Sequence, residues 1–168
     1  LVGSEMCIRD RANTCQKLLA NKKVLVCSKN KLTLTALLLC TPIFQSLVRR
    51  ATTEDEALEI QQECQPDLLI TSEEIEKGYG IRLVETIKKR TPELKALIFL
   101  QRETPEVAHE AMEAGADGVM FTSSIGTGNG DFIQALTTTA EGGIYYPMAV
   151  REAVSKNPRP APVIADPL

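Results

Sequence analysis

The chain has 168 residues, 43% of them hydrophobic, with a formal net charge of −3 and a pI near 5.3. That length allows one domain with a proper core and little more, and the apolar content excludes wholesale disorder. The mild acidity leaves no basic footprint for nucleic acid on this segment, and no apolar run approaches the ~20 residues that span a bilayer; the longest, LTLTALLLC at 32–40, is broken by threonines.

The first element, LVGSEMCIRDR at 1–11, has no useful periodicity and no apolar core of a signal peptide. It is expected to be a non-native leader. Residues 12–22 are a short lead-in, helical from 13 to 23. KVLVC at 23–27 is a continuous apolar run of the kind that forms a fully buried strand. A helix is expected over 32–40, with Leu34, Leu37 and Leu38 on one face, ended or bent by Pro42. SLVRRA at 46–51 alternates weakly and reads as a strand near a sheet edge. Thr53 and Glu56 form a capping box for the helix that follows. A third strand is expected at 67–71, and Gly78 and Gly80 punctuate the loop after it. IRLVETIKKR is an amphipathic helix with Leu83, Val84 and Ile87 inward, and its basic last turn complements the helix dipole. KALIFL at 95–100 is the fourth strand. Thr104 caps the next helix, Pro105 occupies its first position and Gly115 ends it. GVMF at 118–121 is the fifth strand. Phe132, Ile133 and Leu136 mark a last helix ending near Gly142. Four of the nine prolines fall in NPRPAPVIADPL at 157–168, the composition of a stiff linker.

Five short apolar strands alternating with helices predict an α/β fold of the flavodoxin-like, doubly wound type. Its five-stranded parallel sheet has order 2-1-3-4-5 and helices on both faces. Right-handed crossovers leave few other topologies. In that order the ligand crevice lies at the carboxyl ends of the first and third strands. The five cysteines contain no Cys-x-x-Cys pair and there is a single histidine, which argues against zinc and for reduced cysteines in a cytoplasmic protein. Cys27 and Cys40 read as inert core residues.

Read at the strand ends, VLVCSKNKL, PDLLITSEEIEKGYG, ALIFLQ and EAGADGVMF resemble the receiver domain of bacterial response regulators, CheY-like in fold and of the NarL/FixJ (LuxR-like) type. The resemblance covers roughly 22–150, and EAGADG and the Pro-Asp start of the third strand are its most specific pieces. It implies a receiver-like domain over 23–142. Residues 143–168 would be a post-helix segment and proline-rich linker to a helix-turn-helix DNA-binding domain that this chain lacks. In that family a phosphoryl group is transferred to an aspartate at the end of the third strand. Two acids after the first strand help hold Mg²⁺, and a hydroxyl residue and a lysine after the fourth and fifth strands contact the phosphoryl group.

Residue by residue, this sequence departs from that pattern. The two acidic positions are Ser28 and Lys29, the phosphoacceptor position is Ser72, the hydroxyl position is Leu100 and the lysine position is Thr122. Magnesium is a hard cation that wants carboxylate oxygens, and none stands at these places. No metal, Mg²⁺ included, and no other cofactor is therefore expected, and no catalytic residue. The reading is a degenerate, non-enzymatic receiver that controls a transcriptional output by contact with a protein partner or with itself as a homodimer. It would reach DNA only through the missing domain and have no membrane association.

Glu73 and Glu74 read as a solvated loop, with a surrogate acid pair as the sharper alternative and Glu73 as an unusual phosphoacceptor in a third. Lys29 could pair with either and imitate an occupied pocket. Ser72 as a nucleophile would need an adjacent base, and the sole histidine, His109, is expected on the helix after Thr104. GTGNG at 126–130 lacks the Gly-Lys-Ser/Thr of a phosphate loop. Arg49, Arg50 and the Lys88–Arg90 run are expected to be solvated, and Tyr145 and Tyr146 to pack the end of the last helix or form an interface. A small α/β nucleotide binder or enzyme using the same crevice is the reading from another class.

Overall fold

The computed structural model describes residues 10, 13–30, 32, 47–124, 131–146 and 148–156. The readings on the 1–11 leader, on nearly all of the 32–40 helix, on GTGNG and on the proline-rich tail lie outside them. Residues 13–19 are helical and bury Cys15 and Leu19; the helix expected over 13–23 ends earlier, in a turn before β1. The strands are β1 (Lys23–Cys27), β2 (Leu47–Ala51), β3 (Leu68–Ser72), β4 (Lys95–Leu100) and β5 (Gly118–Phe121). They form one parallel sheet in the order β2-β1-β3-β4-β5, the order expected from sequence. Helices α1 (Glu54–Cys64), α2 (Gly80–Arg90), α3 (Pro105–Glu113), α4 (Asp131–Ala140) and α5 (Met148–Lys156) follow in turn.

The continuous apolar strands work because both sheet faces are covered. On one face Leu25, Cys27, Leu69, Ile98, Leu100 and Phe121 pack with α1, α2, α3 and α5. On the other, Val24, Val26, Ile70, Phe99 and Met120 pack with the 13–19 helix and α4. The local signals act as the sequence implies. The Thr53 hydroxyl accepts from the Glu56 N–H at 3.1 Å, and the Thr104 hydroxyl from the Val107 N–H at 3.3 Å. The third strand sits one residue later than expected, so that Ser72 is its last residue rather than the first of the loop.

Two segments differ from expectation. Lys88 is not part of a solvated run; its side chain is half-buried and its ammonium lies 3.0 Å from Asp117 Oδ2. And α5 occupies part of the 143–168 segment, where only a post-helix segment and linker are expected. Pro147 and the short apolar spacing of Val150 and Val154 obscure it, but Val150 is fully buried against the core and the helix packs on α3 and β5. Just before it, Tyr145 pairs along the free edge of β5, its N–H donating to Asp117 O at 2.8 Å and its carbonyl accepting from Val119 N–H at 3.0 Å. The Tyr146 hydroxyl donates to Ala116 O at 3.0 Å. Both tyrosines therefore pack at the sheet edge. No helix among the described residues is long and apolar enough to cross a membrane.

Gly80 fixes the loop that follows β3. A Cβ there would lie 2.0 Å from the Ser72 carbonyl oxygen, because the 73–79 loop doubles back and starts α2 against the end of the strand. The obstacle is backbone, so it cannot be relieved by a rotamer change. Gly80→Ala is expected to cost about 1–3 kcal/mol, read by urea unfolding; an unchanged midpoint and slope would mean the loop is not held this closely.

Candidate functional site

The carboxyl ends of β1 and β3 lie side by side, since Cys27 pairs with Thr71. The next residue on each chain is then Ser28 and Ser72. They meet: the Ser72 hydroxyl lies 3.3 Å from Ser28 Oγ and donates at 2.6 Å to the carbonyl of Glu74. A crevice of about 280 Å³ opens here, lined among others by Ser28, Lys29, Ser72, Glu74 and Thr122. Lys29 Nζ lies 3.2 Å from Glu74 Oε2 across its mouth, with both side chains at least half exposed. Such a pair is worth at most about 1 kcal/mol. The Thr122 hydroxyl turns back to the Leu100 carbonyl at 3.0 Å.

Four of the five positions singled out from sequence, Ser28, Lys29, Ser72 and Thr122, thus line one crevice. Leu100 does not; its side chain is fully buried on the α1–α3 face of the sheet. Chemically the crevice offers hydroxyls, an ammonium and one exposed carboxylate, and among the described residues no three His, Cys, Asp or Glu converge to hold a metal. Cys27 reaches the crevice wall, but burial pushes its thiol up to about 12, further raised by Glu56 and Glu54 and opposed by a hydrogen bond with Thr71. It is a protonated core thiol at neutral pH, not a nucleophile. A larger groove, about 830 Å³, lies at the opposite end of the sheet around Pro66, Lys95 and Gly142, far from these loops.

Glu73 corrects the solvated-loop expectation. It is only 2% exposed. Its Oε1 accepts from the backbone N–H of Gln101 at 2.7 Å and of Arg102 at 2.9 Å, and its Oε2 pairs with the Arg102 guanidinium. Glu74, by contrast, stays at the surface with Lys29, so the two acids do not act as a pair. Arg102 Nη2 donates to the Tyr79 hydroxyl at 2.6 Å, and its guanidinium lies 5.8 Å from the centre of the Tyr79 ring. Tyr79 in turn reaches Glu110 Oε2 on α3 at 3.3 Å. Burial is the main reason the Tyr79 phenol is raised above its ordinary pKa, with Glu110 repelling the phenolate and Arg102 partly opposing. The hydrogen bond to Glu73 holds Arg102 in its charged form.

Sequence reasoning does not find Arg102 or Tyr79. The one available signal is topological. β3 and β4 are neighbours, so an acid one residue past the first and an arginine two residues past the second emerge at the same end of the sheet.

A family model described as the response regulator receiver domain matches residues 24–123. The methanol utilization control regulatory protein MoxX of Paracoccus denitrificans is 31% identical over 86 residues, which is 50% of this chain and 37% of that protein. The chain thus spans little more than a third of this relative's length. A LuxR-family two-component response regulator from Aurantimonas sp. SI85-9A1 superposes with a TM-score of 0.71 at 18% identity, covering 81% of this chain and 96% of that one. RcsB from Salmonella enterica serovar Typhimurium, bound to promoter rprA in the presence of the phosphomimetic BeF3−, superposes with a TM-score of 0.68 at 18% identity, covering 81% and 69%. The structural likenesses carry the fold, and the family match extends over β1 to β5 and every loop that forms the crevice. On that ground the chain belongs to the response regulator receiver domain family of two-component systems.

Proposed function

We propose that this chain is a pseudo-receiver: it keeps the receiver scaffold and controls an output by protein contact, without aspartyl phosphorylation. The observation that carries the reading is the meeting of Ser28, Lys29 and Ser72 where a receiver needs three carboxylates. The Ser72 hydroxyl is spent on the Glu74 carbonyl. This donor set does not fit Mg²⁺, which binds through carboxylate oxygens in near-octahedral array, and Lys29 brings a positive charge to the place a cation would take. Without a cation the charge developing on a transferring phosphoryl group has little to stabilise it. Glu73 is a poor substitute acceptor. Its carboxylate is buried, faces the loop after β4 and is already bonded to three donors.

The output would follow the relatives: MoxX is a regulatory protein, and RcsB was captured on a promoter. A DNA-binding domain joined after α5, a cytoplasmic setting and self-association or a protein partner all belong to this reading. Incubation with Mg²⁺ and acetyl phosphate is expected to leave the mass unchanged. Mg²⁺ with beryllofluoride is expected to leave the amide resonances of residues 28, 29, 72 and 100 where they are. A phosphoryl adduct, or saturable shifts at those positions, would overturn it.

A further inference from the structure

We infer that Glu73 is a permanent internal latch: its buried carboxylate holds the loop after β4, and through that loop α3, in a single state, so that this receiver is locked rather than switched. The inference rests on the reading that the crevice takes no phosphoryl group.

The geometry is that of a clamp. Two consecutive backbone N–H groups, those of Gln101 and Arg102, converge on Glu73 Oε1, while Arg102 Nε takes Oε2. These are the first two residues beyond β4, where the chain leaves the sheet toward α3. The carboxylate itself is rigidly mounted. The Glu73 N–H donates to Phe99 O at 2.8 Å, and its carbonyl accepts from Gly80 N–H at 2.8 Å. Charge-assisted bonds in a buried place are the strong ones, and breaking any of these leaves a charged or backbone group without a partner. A switching loop needs two arrangements of similar free energy. A loop tied by two amides and a guanidinium to one buried anion has no such second arrangement at comparable cost.

The connection continues outward. Arg102 is bonded to Tyr79, which sits at the start of α2, and Tyr79 is bonded to Glu110 on α3. The α3 helix packs against α5, the last described element of the chain. The latch therefore joins the end of β3 to the last described helix. The anion that fixes this loop is supplied by the sequence, not by a signal.

Amide hydrogen exchange followed by NMR tests this. In the wild-type protein the amides of Gln101 and Arg102 should be protected to a degree comparable with β4. In Glu73→Gln and Glu73→Ala their exchange should accelerate by at least about tenfold. Resonance changes should run through α3 and α5 while β1 and β3 amides keep their protection, a pattern a general loss of stability does not give. Exchange of these two amides at exposed-loop rates in the wild type would overturn the latch without any variant. A folded Glu73→Ala protein with α3 and α5 unmoved would do the same. Should neither Glu73 variant fold, Arg102→Gln removes only the guanidinium, whose side chain is more than half exposed, and it should still shift α3; an unmoved α3 would overturn the latch. The crevice reading fails separately: a beryllofluoride response in the wild type overturns both, whereas unprotected amides without one overturn the latch alone.

Discussion

Asp117→Ala is expected to destabilise the protein by roughly 3–5 kcal/mol. Asp117 lies in the EAGADG segment, where Gly115 ends α3 with a φ of +98° and the chain turns directly into β5. Its Oδ2 accepts from the buried N–H of Ala96 at 2.9 Å and from Lys88 Nζ at 3.0 Å. Lys88 is further held by the carbonyls of Leu94 at 2.7 Å and Pro92 at 3.2 Å. One carboxylate therefore joins the end of α2, the start of β4 and the start of β5. Truncating it leaves the Ala96 amide without its acceptor and the Lys88 ammonium, though still held by two carbonyls, without its counter-charge in a half-dry place, where such a loss costs more than the pair contributes net. Asp117→Asn, which keeps an acceptor for Ala96, should lose distinctly less. The double variant Lys88→Met/Asp117→Ala should be more stable than the sum of its parts, because it removes the stranded charge. Urea unfolding measures all three, and a loss below about 1 kcal/mol in Asp117→Ala would mean that this site behaves as an ordinary surface ion pair.

That residue also illustrates how far the sequence is readable. Strand and helix identities follow from short-range rules: continuous apolar runs for strands covered on both faces, Thr53 and Thr104 as caps, Pro105 at a first helical turn. Each rule acts within a few residues, and each is satisfied. The crevice is legible for a related reason. A parallel sheet of known order brings the residues after β1 and β3 together, so Ser28 and Ser72 meet whatever their side chains are. Side-chain destinations are another matter. Lys88 and Lys89 are neighbours of one type on one helix, yet Lys88 reaches Asp117 while Lys89 pairs with Glu85 at the surface. Glu73 and Glu74 divide in the same way. Past the end of a strand the alternation of faces still decides which of two adjacent acids points inward, but the partner of that acid lies 28–29 residues away in sequence. No local pattern encodes such a meeting. The α5 helix escapes for a different reason. Among its described side chains, only Val150 and the partly buried Val154 pack on the core, too few to mark a helix in the sequence.

The separation between a scaffold kept by local rules and a crevice with no carboxylate at residues 28, 29 or 72 leads to the other large effect. On the pseudo-receiver reading, replacing Ser28, Lys29 and Ser72 together by aspartate should create a Mg²⁺ site and a metal response that the wild-type protein does not give. Ser28 and Ser72 are already at hydroxyl contact, 3.3 Å apart, and Lys29 follows Ser28 directly. Three carboxylates would then face one small crevice, and in the absence of metal their repulsion should lower stability below that of the wild type. Added Mg²⁺ should reverse the loss, because a cation that binds only the folded state stabilises it by about 2.7 kcal/mol when present at a hundredfold its dissociation constant. The thermal midpoint of the triple variant should therefore climb with millimolar Mg²⁺ while that of the wild type stays flat. Ser72→Asp alone should show little of this, since Lys29 still occupies the cation's surroundings. Equal responses of wild type and triple variant would mean that the wild-type crevice already binds the metal, and the pseudo-receiver reading would be lost. A recovered metal site is not a recovered switch. Thr122 and the buried Leu100 still offer no lysine or free hydroxyl to a phosphoryl group, and Glu73 still grips the Gln101 and Arg102 amides. In the triple variant Mg²⁺ should accordingly shift the amides around residues 28 and 72 and leave α3 in place, and only the further exchange of Glu73 for glutamine should let α3 respond.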